Sequence, residues 1–168
     1  MRLRILAVVV ATLAALTLAP PAPAAAPWLS TGTTSSAPGN NGVKVLGLRY
    51  AAHPTFDRVV IDLRGPLPDY RTGYARRFHY EGSGKPIPIR GASGLWISLT
   101  ADGHDAAGNN LYTGPRLARP GFETLKALAL GGDFEGQVTF AFALRHRADY
   151  RIQHLTAPSR MVIDFRHR

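Results

Sequence analysis

From Val43 onward the apolar residues recur at every second position in short runs, and glycine or proline cuts each run off before a helix could be completed. Gly136 to Leu144 shows the pattern most cleanly. Val138, Phe140, Phe142 and Leu144 face one way, and Gln137, Thr139, Ala141 and Ala143 the other. Period-two alternation is the signature of a strand with one face in a core, whereas an amphipathic helix needs apolar residues three and four apart. Val43–Ala52, Phe56–Leu63, Leu95–Leu99, Tyr150–Leu155 and Met161–Phe165 read the same way. Pro86-Ile87-Pro88-Ile89 is compatible only with an edge strand, because its prolines have no N–H to give to a ladder. One stretch is ambiguous: in 122–130 (FETLKALAL), Phe122, Leu125 and Leu128 fit a helical turn, yet the run also fits a hairpin arm. The expectation is an all-β fold, a sandwich or a barrel of short strands, with at most one short helix.

The N-terminus has a different character. Met1–Arg4 is a basic start, Ile5–Ala19 is unbroken and apolar, and Ala22-Pro23-Ala24 offers a small-residue cleavage site. That order spells a secretory signal peptide over 1–24, and an apolar run of about fifteen residues is too short to span a bilayer. No later stretch would span one, so no transmembrane segment is expected. Residues 25–42 (AAPWLSTGTTSSAPGNNG) lack apolar periodicity and read as a flexible tether. This leaves 43–168 as one domain, secreted and extracytoplasmic. The formal charge is +9; losing Arg2 and Arg4 with the signal lowers it to about +7, still enough to attract an anionic surface. Cysteine is absent, which excludes disulfides, thiolate metal sites and cysteine nucleophiles. Only Lys44, Lys85 and Lys126 are lysines; this arginine excess is also what high-GC coding produces.

The chain echoes itself. Asp57-Arg58-Val59-Val60-Ile61-Asp62-Leu63 is matched by Ser159-Arg160-Met161-Val162-Ile163-Asp164-Phe165, and Asp69-Tyr70-Arg71 by Asp149-Tyr150-Arg151. Arg58 and Asp62, like Arg160 and Asp164, stand roughly 13 Å apart along one strand face, so each must pair across strands or face solvent. These strands, together with Pro68-x-Tyr70, the Ser83–Pro86 turn, Asp133–Gly136 and Pro158–Asp164, resemble the AMIN-type domain, and more closely its AMIN-like relatives in secreted proteins of high-GC bacteria. The resemblance covers about 43–168. It implies a compact β-sandwich without catalytic machinery, a place in the cell envelope, and a targeting role like that of AMIN domains beside cell-wall amidases and secretins, which bind peptidoglycan or its neighbourhood.

Motifs for chemistry are missing. No H-E-x-x-H, P-loop or G-x-S-x-G pattern exists, and Asp102-Gly103-His104-Asp105 departs from the calcium-loop order. No catalytic residue, metal or cofactor is therefore expected. The arginines carry the binding expectation. Arg76-Arg77, Arg145-His146-Arg147 and Arg166-His167-Arg168 are local clusters, and Arg71 and Arg151 follow the two matched tyrosines. Guanidinium forks bind carboxylate and phosphate in pairs of hydrogen bonds. An alternative fate is ordinary cross-strand ion pairing with Asp62, Asp149 or Asp164. Trp96 lies opposite the Leu95/Ile97/Leu99 face, where it could stack on a sugar ring or lie under segment 122–130 or the loop at 101–121. The candidate ligand-binding residues are Trp96, Tyr70, Arg71, Arg76, Arg77, Arg145, Arg147 and Arg151. The expected partner is a wall polymer, peptidoglycan or teichoic acid, and not nucleic acid, since export and the lack of a recognition motif argue against it. The alternatives are a secreted regulator bound to another envelope protein through a sheet edge, and a hydrolase.

Overall fold

The computed structural model describes residues 26–36 and 42–168; the signal peptide expected over 1–24 lies outside them. Ten strands follow in order: β1 (Thr34–Ser35), β2 (Lys44–Ala52), β3 (Phe56–Arg64), β4 (Tyr70–Tyr74), β5 (Ser93–Thr100), β6 (Leu117–Ala118), β7 (Leu125–Phe134), β8 (Gln137–Leu144), β9 (Tyr150–Thr156) and β10 (Ser159–Arg166). They form a six-stranded sheet, β1-β4-β5-β8-β7-β6, and a four-stranded sheet, β2-β3-β10-β9. The paired strands are antiparallel. The two sheets pack face to face as a β-sandwich. No described residue is helical. The ambiguous stretch 122–130 enters β7, because Leu125 and Leu128 find partners on β8 at Leu144 and Phe142 and this pairing outweighs a weak helical pattern.

The core is what the alternation specified. Val59, Ile61, Met161, Ile163 and Phe165 of the small sheet meet Leu95, Ile97, Leu99, Phe140, Phe142 and Leu144 of the large one. Phe142 and Phe165 meet across the gap as a tilted pair with centroids 5.3 Å apart. β7 turns into β8 through Glu135-Gly136, both at positive φ (50° and 72°), a two-residue connection whose twist suits a hairpin and whose second position favours glycine.

A second, smaller core covers part of the outer face of the large sheet. Ala127, Ala129, Ala141 and Ala143 leave a shallow floor there, and Phe78, Ile87 and Ile89 from the 75–92 segment fill it. Pro86–Ile89 is thus not an edge strand. Its ladder contact is one bridge, His79 to Pro86, and its isoleucines plug the sheet face.

Composition assigns 25–42 to a tether, but residues 26–36 lie along the domain. Leu29 and Tyr150 exchange backbone hydrogen bonds (2.6 and 3.0 Å), Tyr150 donates its hydroxyl to the Thr31 carbonyl (2.9 Å), and Thr34–Ser35 pairs with β4. Backbone donors and acceptors left at the ends of β4 and β9 explain the docking: an edge strand accepts any extended neighbour, whatever its side chains.

Candidate functional site

The echoed strands lie side by side as β3 and β10, with Arg58 opposite Asp164 and Asp62 opposite Arg160. Arg58 grips Asp164 through two of its three nitrogens, Nε to Oδ1 at 2.7 Å and Nη2 to Oδ2 at 2.9 Å. Arg151 adds Nε to Oδ2 at 2.8 Å. Asp164 is fully buried, where a carboxylate without hydrogen-bonded partners is costly. The mirror pair does not form. Asp62 takes Arg49 instead, at 2.7 and 2.9 Å, and Arg160 donates to the Pro158 carbonyl at 3.2 Å.

The second buried carboxylate, Asp57, holds the end of the sandwich where the arginines gather. Its Oδ2 accepts from the backbone N–H of Thr124 and of Leu125, each at 2.7 Å, and its Oδ1 lies 3.0 Å from His167 Nε2. His167 Nδ1 is 3.2 Å from Glu123 Oε2 but outside hydrogen-bond geometry, so this contact is electrostatic and counts when the ring carries both protons. Thr124 in turn accepts the Arg145 backbone N–H (2.9 Å), which starts the 145–147 turn beside the C-terminal residues of β10.

Four of the eight candidate residues meet at this end. Arg76 and Arg77 leave β4, and Arg145 and Arg147 leave β8. Arg76, Arg145 and Arg147 line one cleft of about 380 Å³ together with His146 and Arg168. Arg76 and Arg77 enter a neighbouring cleft of about 470 Å³ that adds His79 and Arg90. On the other side Arg147 and Arg168 border a third, of about 490 Å³, with Arg166, His167 and Asp149. Shared residues, Arg76 on one side and His146, Arg147 and Arg168 on the other, place the three clefts side by side as an arginine-lined trough. Among the described residues none of its arginines, 76, 77, 90, 145, 147, 166 and 168, pairs with a carboxylate. Those that are held are held by neutral groups: Arg145 by the carbonyls of Phe122 and Gly121 (2.9 and 3.1 Å), Arg147 by that of Ser30 (3.0 Å) and by the ring of Tyr74, 3.8 Å below its guanidinium. A carbonyl orients a guanidinium without cancelling its charge. Burial pushes the Tyr74 phenol up to about 12, so it stays a neutral donor to the Ala148 carbonyl at 2.6 Å. Burial, then the charges of Arg168 and His167, lowers the pKa of His146.

The other four candidates lie elsewhere. Arg151 is committed to Asp164 and to the Trp28 ring, 4.6 Å from its guanidinium. Tyr70 packs partly against the main core, its hydroxyl bonds Ser35, and it lines the same cleft as Arg71. Arg71 lines a separate polar cleft of about 300 Å³ with Ser98 and Gln137. Trp96 lies half-buried on the outer face of the large sheet, packed against the small cluster that joins Phe78, Ile87 and Ile89 of the 75–92 segment to Ala127 and Ala129 of β7, with Leu117 of the 101–121 loop also against it. Arg90 was not legible as a site residue, since a lone arginine after Pro86–Ile89 carries no pattern. Arg166 and Arg168 were visible only as a local cluster. Among the described residues no three His, Cys, Asp or Glu side chains are grouped to hold a metal ion, and no helix is long and apolar enough to cross a membrane.

A two-sheet sandwich with a run of uncancelled guanidinium groups at one end has the make-up of a binding module. A family model described as the AMIN-like domain matches residues 43–167, and the chain belongs to that family. Membership points to a binding module of extracytoplasmic, cell-envelope proteins. No curated protein and no solved structure is matched.

Proposed function

We propose that the protein is a secreted, non-catalytic module that binds an anionic polymer of the cell wall, peptidoglycan or teichoic acid, through its arginine-lined end. The observation that supports this reading is the trough itself, in which Arg145 and Arg147 are oriented by carbonyls and a tyrosine ring and none of the seven arginines has a carboxylate partner among the described residues. Such groups keep their charge, and the N–H donors that the carbonyls leave unused can bond phosphate or carboxylate. Several linked clefts suit a chain of repeated charges better than one small anion. The test is co-sedimentation of the protein with purified walls, before and after removal of teichoic acid, at low and high salt. Retention by stripped walls at moderate salt supports peptidoglycan recognition. Loss on stripping assigns the teichoic polymer, and absence of binding under every condition overturns the proposal.

A partner protein at a sheet edge is the competing reading. It is favoured by β2, an edge strand whose residues 49–52 are all exposed. Binding of that kind survives salt, whereas arginine contacts weaken as the screening length falls from about 10 Å at 0.1 M to about 3 Å at 1 M.

A further inference from the structure

The trough does not stop at the end of the sandwich. Arg77, Phe78, His79 and Ile87 line both its second cleft and a smaller cavity of about 240 Å³ on the outer face of the large sheet. Trp96 lines that cavity, with Thr139 and Ala141 beside it on β8. The indole lies against Gly73 of β4, where a Cβ would sit 2.7 Å from Nε1. Glycine at this position therefore lets the ring lie down on the sheet instead of standing away from it. The rim is polar. Thr139 donates its hydroxyl to Glu81 Oε1 at 2.6 Å, and Glu81, His79 and Arg77 are exposed.

We propose that this cavity is a subsite for one pyranose ring, and that it works with the adjoining trough on a single ligand in which the sugar is joined to a phosphate or a carboxylate. The chemistry of the walls selects this occupant. A pyranose has an apolar face of C–H groups that covers an indole and a periphery of hydroxyls that Glu81, Thr139 and His79 can bond. A purely aliphatic ligand would press against the Glu81 carboxylate and strip its water without replacing it, which is costly. A free inorganic anion would leave the indole unused. Arg77 borders both spaces, so an anion attached to the ring falls within its reach. The anionic half of the inference rests on the function proposed above; the sugar half stands on the cavity alone.

Isothermal titration of the secreted chain with N-acetylglucosamine, inorganic phosphate, N-acetylglucosamine 1-phosphate and N-acetylmuramyl dipeptide tests the idea, with inorganic polyphosphate as a probe of the trough. The expected result is that one of the two composite ligands binds at least about tenfold tighter than sugar or phosphate alone, since the second contact is made intramolecularly. Preference for the sugar phosphate or for the muramyl dipeptide identifies which anion is read. Trp96→Ala and Glu81→Ala should each abolish the advantage while leaving polyphosphate binding unchanged, and Trp96→Phe should keep much of it. Glu81 lies on the exposed rim, so its variant remains informative if Trp96→Ala does not fold. Composites that bind no better than phosphate, or a Glu81→Ala variant that keeps the full advantage, overturn the subsite. If polyphosphate fails to bind the wild type but N-acetylglucosamine binds and needs Trp96, the trough reading falls and the sugar pocket remains.

Discussion

Asp57 is the residue whose removal most directly tests how the arginine end is built. Its carboxylate is fully buried, as are Thr124 and Leu125, whose backbone N–H groups it accepts at 2.7 Å. Asp57→Ala leaves both donors without a partner in a dry interior, at about 1–3 kcal/mol each. Part of this is offset because a charge no longer has to be buried, and the net destabilisation should be about 3–5 kcal/mol, as when one member of a buried ionic network is deleted. Asp57→Asn is a milder change. Its amide oxygen can still accept both N–H groups, and only the oxygen facing His167 is exchanged for NH₂, so about 1–2 kcal/mol is expected. A domain of this size has roughly 5–15 kcal/mol in total, so the alanine variant should sit near the edge of folding. Urea titration followed by tyrosine and tryptophan fluorescence reads both values, with an unchanged slope showing that the same surface unfolds. The same variants should weaken polyanion binding in the folded fraction, because Thr124 anchors Arg145 (2.9 Å). An alanine variant within about 1 kcal/mol of wild type, or an asparagine variant less stable than it, refutes the assignment.

Three further outcomes are expected. Asp164→Asn should cost about 2–4 kcal/mol in the same titration, below the full value for a buried pair because Arg58 remains 30% exposed and its guanidinium can turn to water. His146, whose pKa is lowered in the fold mainly by burial, takes up a proton less readily there than in the unfolded chain. Stability should therefore fall as pH drops below the unfolded value of about 6.5, and His146→Gln should flatten that part of the profile. Anion binding should move the opposite way, tightening as the ring gains charge. Deleting residues 26–36 should leave the domain folded but speed hydrogen exchange at the backbone amides of Thr72 and Tyr150, which they protect from Thr33 and Leu29; unchanged exchange would mean that the docked segment contributes nothing in solution.

The strands were legible because their signal is local. In β8 the four residues expected to face inward are all at or below 1% exposure, and β3 buries Asp57, Val59, Ile61 and Leu63 in strict alternation. What was not legible depends on partners distant in the chain. Ile87 and Ile89 look like an edge strand until the alanines of β7 and β8 are placed opposite them, more than thirty residues away. A signal was present in those alanines: small apolar residues on the outer face of two neighbouring strands leave room for something to cover them. Likewise 122–130 could not be resolved by its own pattern, since three apolar positions suit a helical turn until β8 supplies a strand to pair with. Residues 26–36 were misleading for a different reason. Composition measures how much apolar surface a segment can bury, and this one is held mainly by its backbone.

The arginines show why clustering in sequence is a poor guide to a site and neutralisation a better one. Arg151 and Arg145 look alike in the sequence, each a strand-end arginine near an aromatic run. Arg151 is opposite Asp164 in the sheet register, so its charge is consumed in holding the small sheet together. Arg145 starts a turn with Phe122 and Gly121 carbonyls nearby, so its charge is aimed and kept. The echoed strands make the same point internally. Arg58 and Arg160 occupy matched positions, yet Arg58 finds Asp164 while Arg160 loses Asp62 to Arg49. Eleven acids face twenty basic residues in this chain, and the most deeply buried of the acids, Asp57 and Asp164, serve the interior. Positive charge is thereby left on arginines without an ion-pair partner among the described residues, and seven of these, 76, 77, 90, 145, 147, 166 and 168, line the three neighbouring clefts. On the proposed function, a surface arginine elsewhere on the sandwich adds to general attraction for an anionic polymer, while the grouped arginines contact its successive charges.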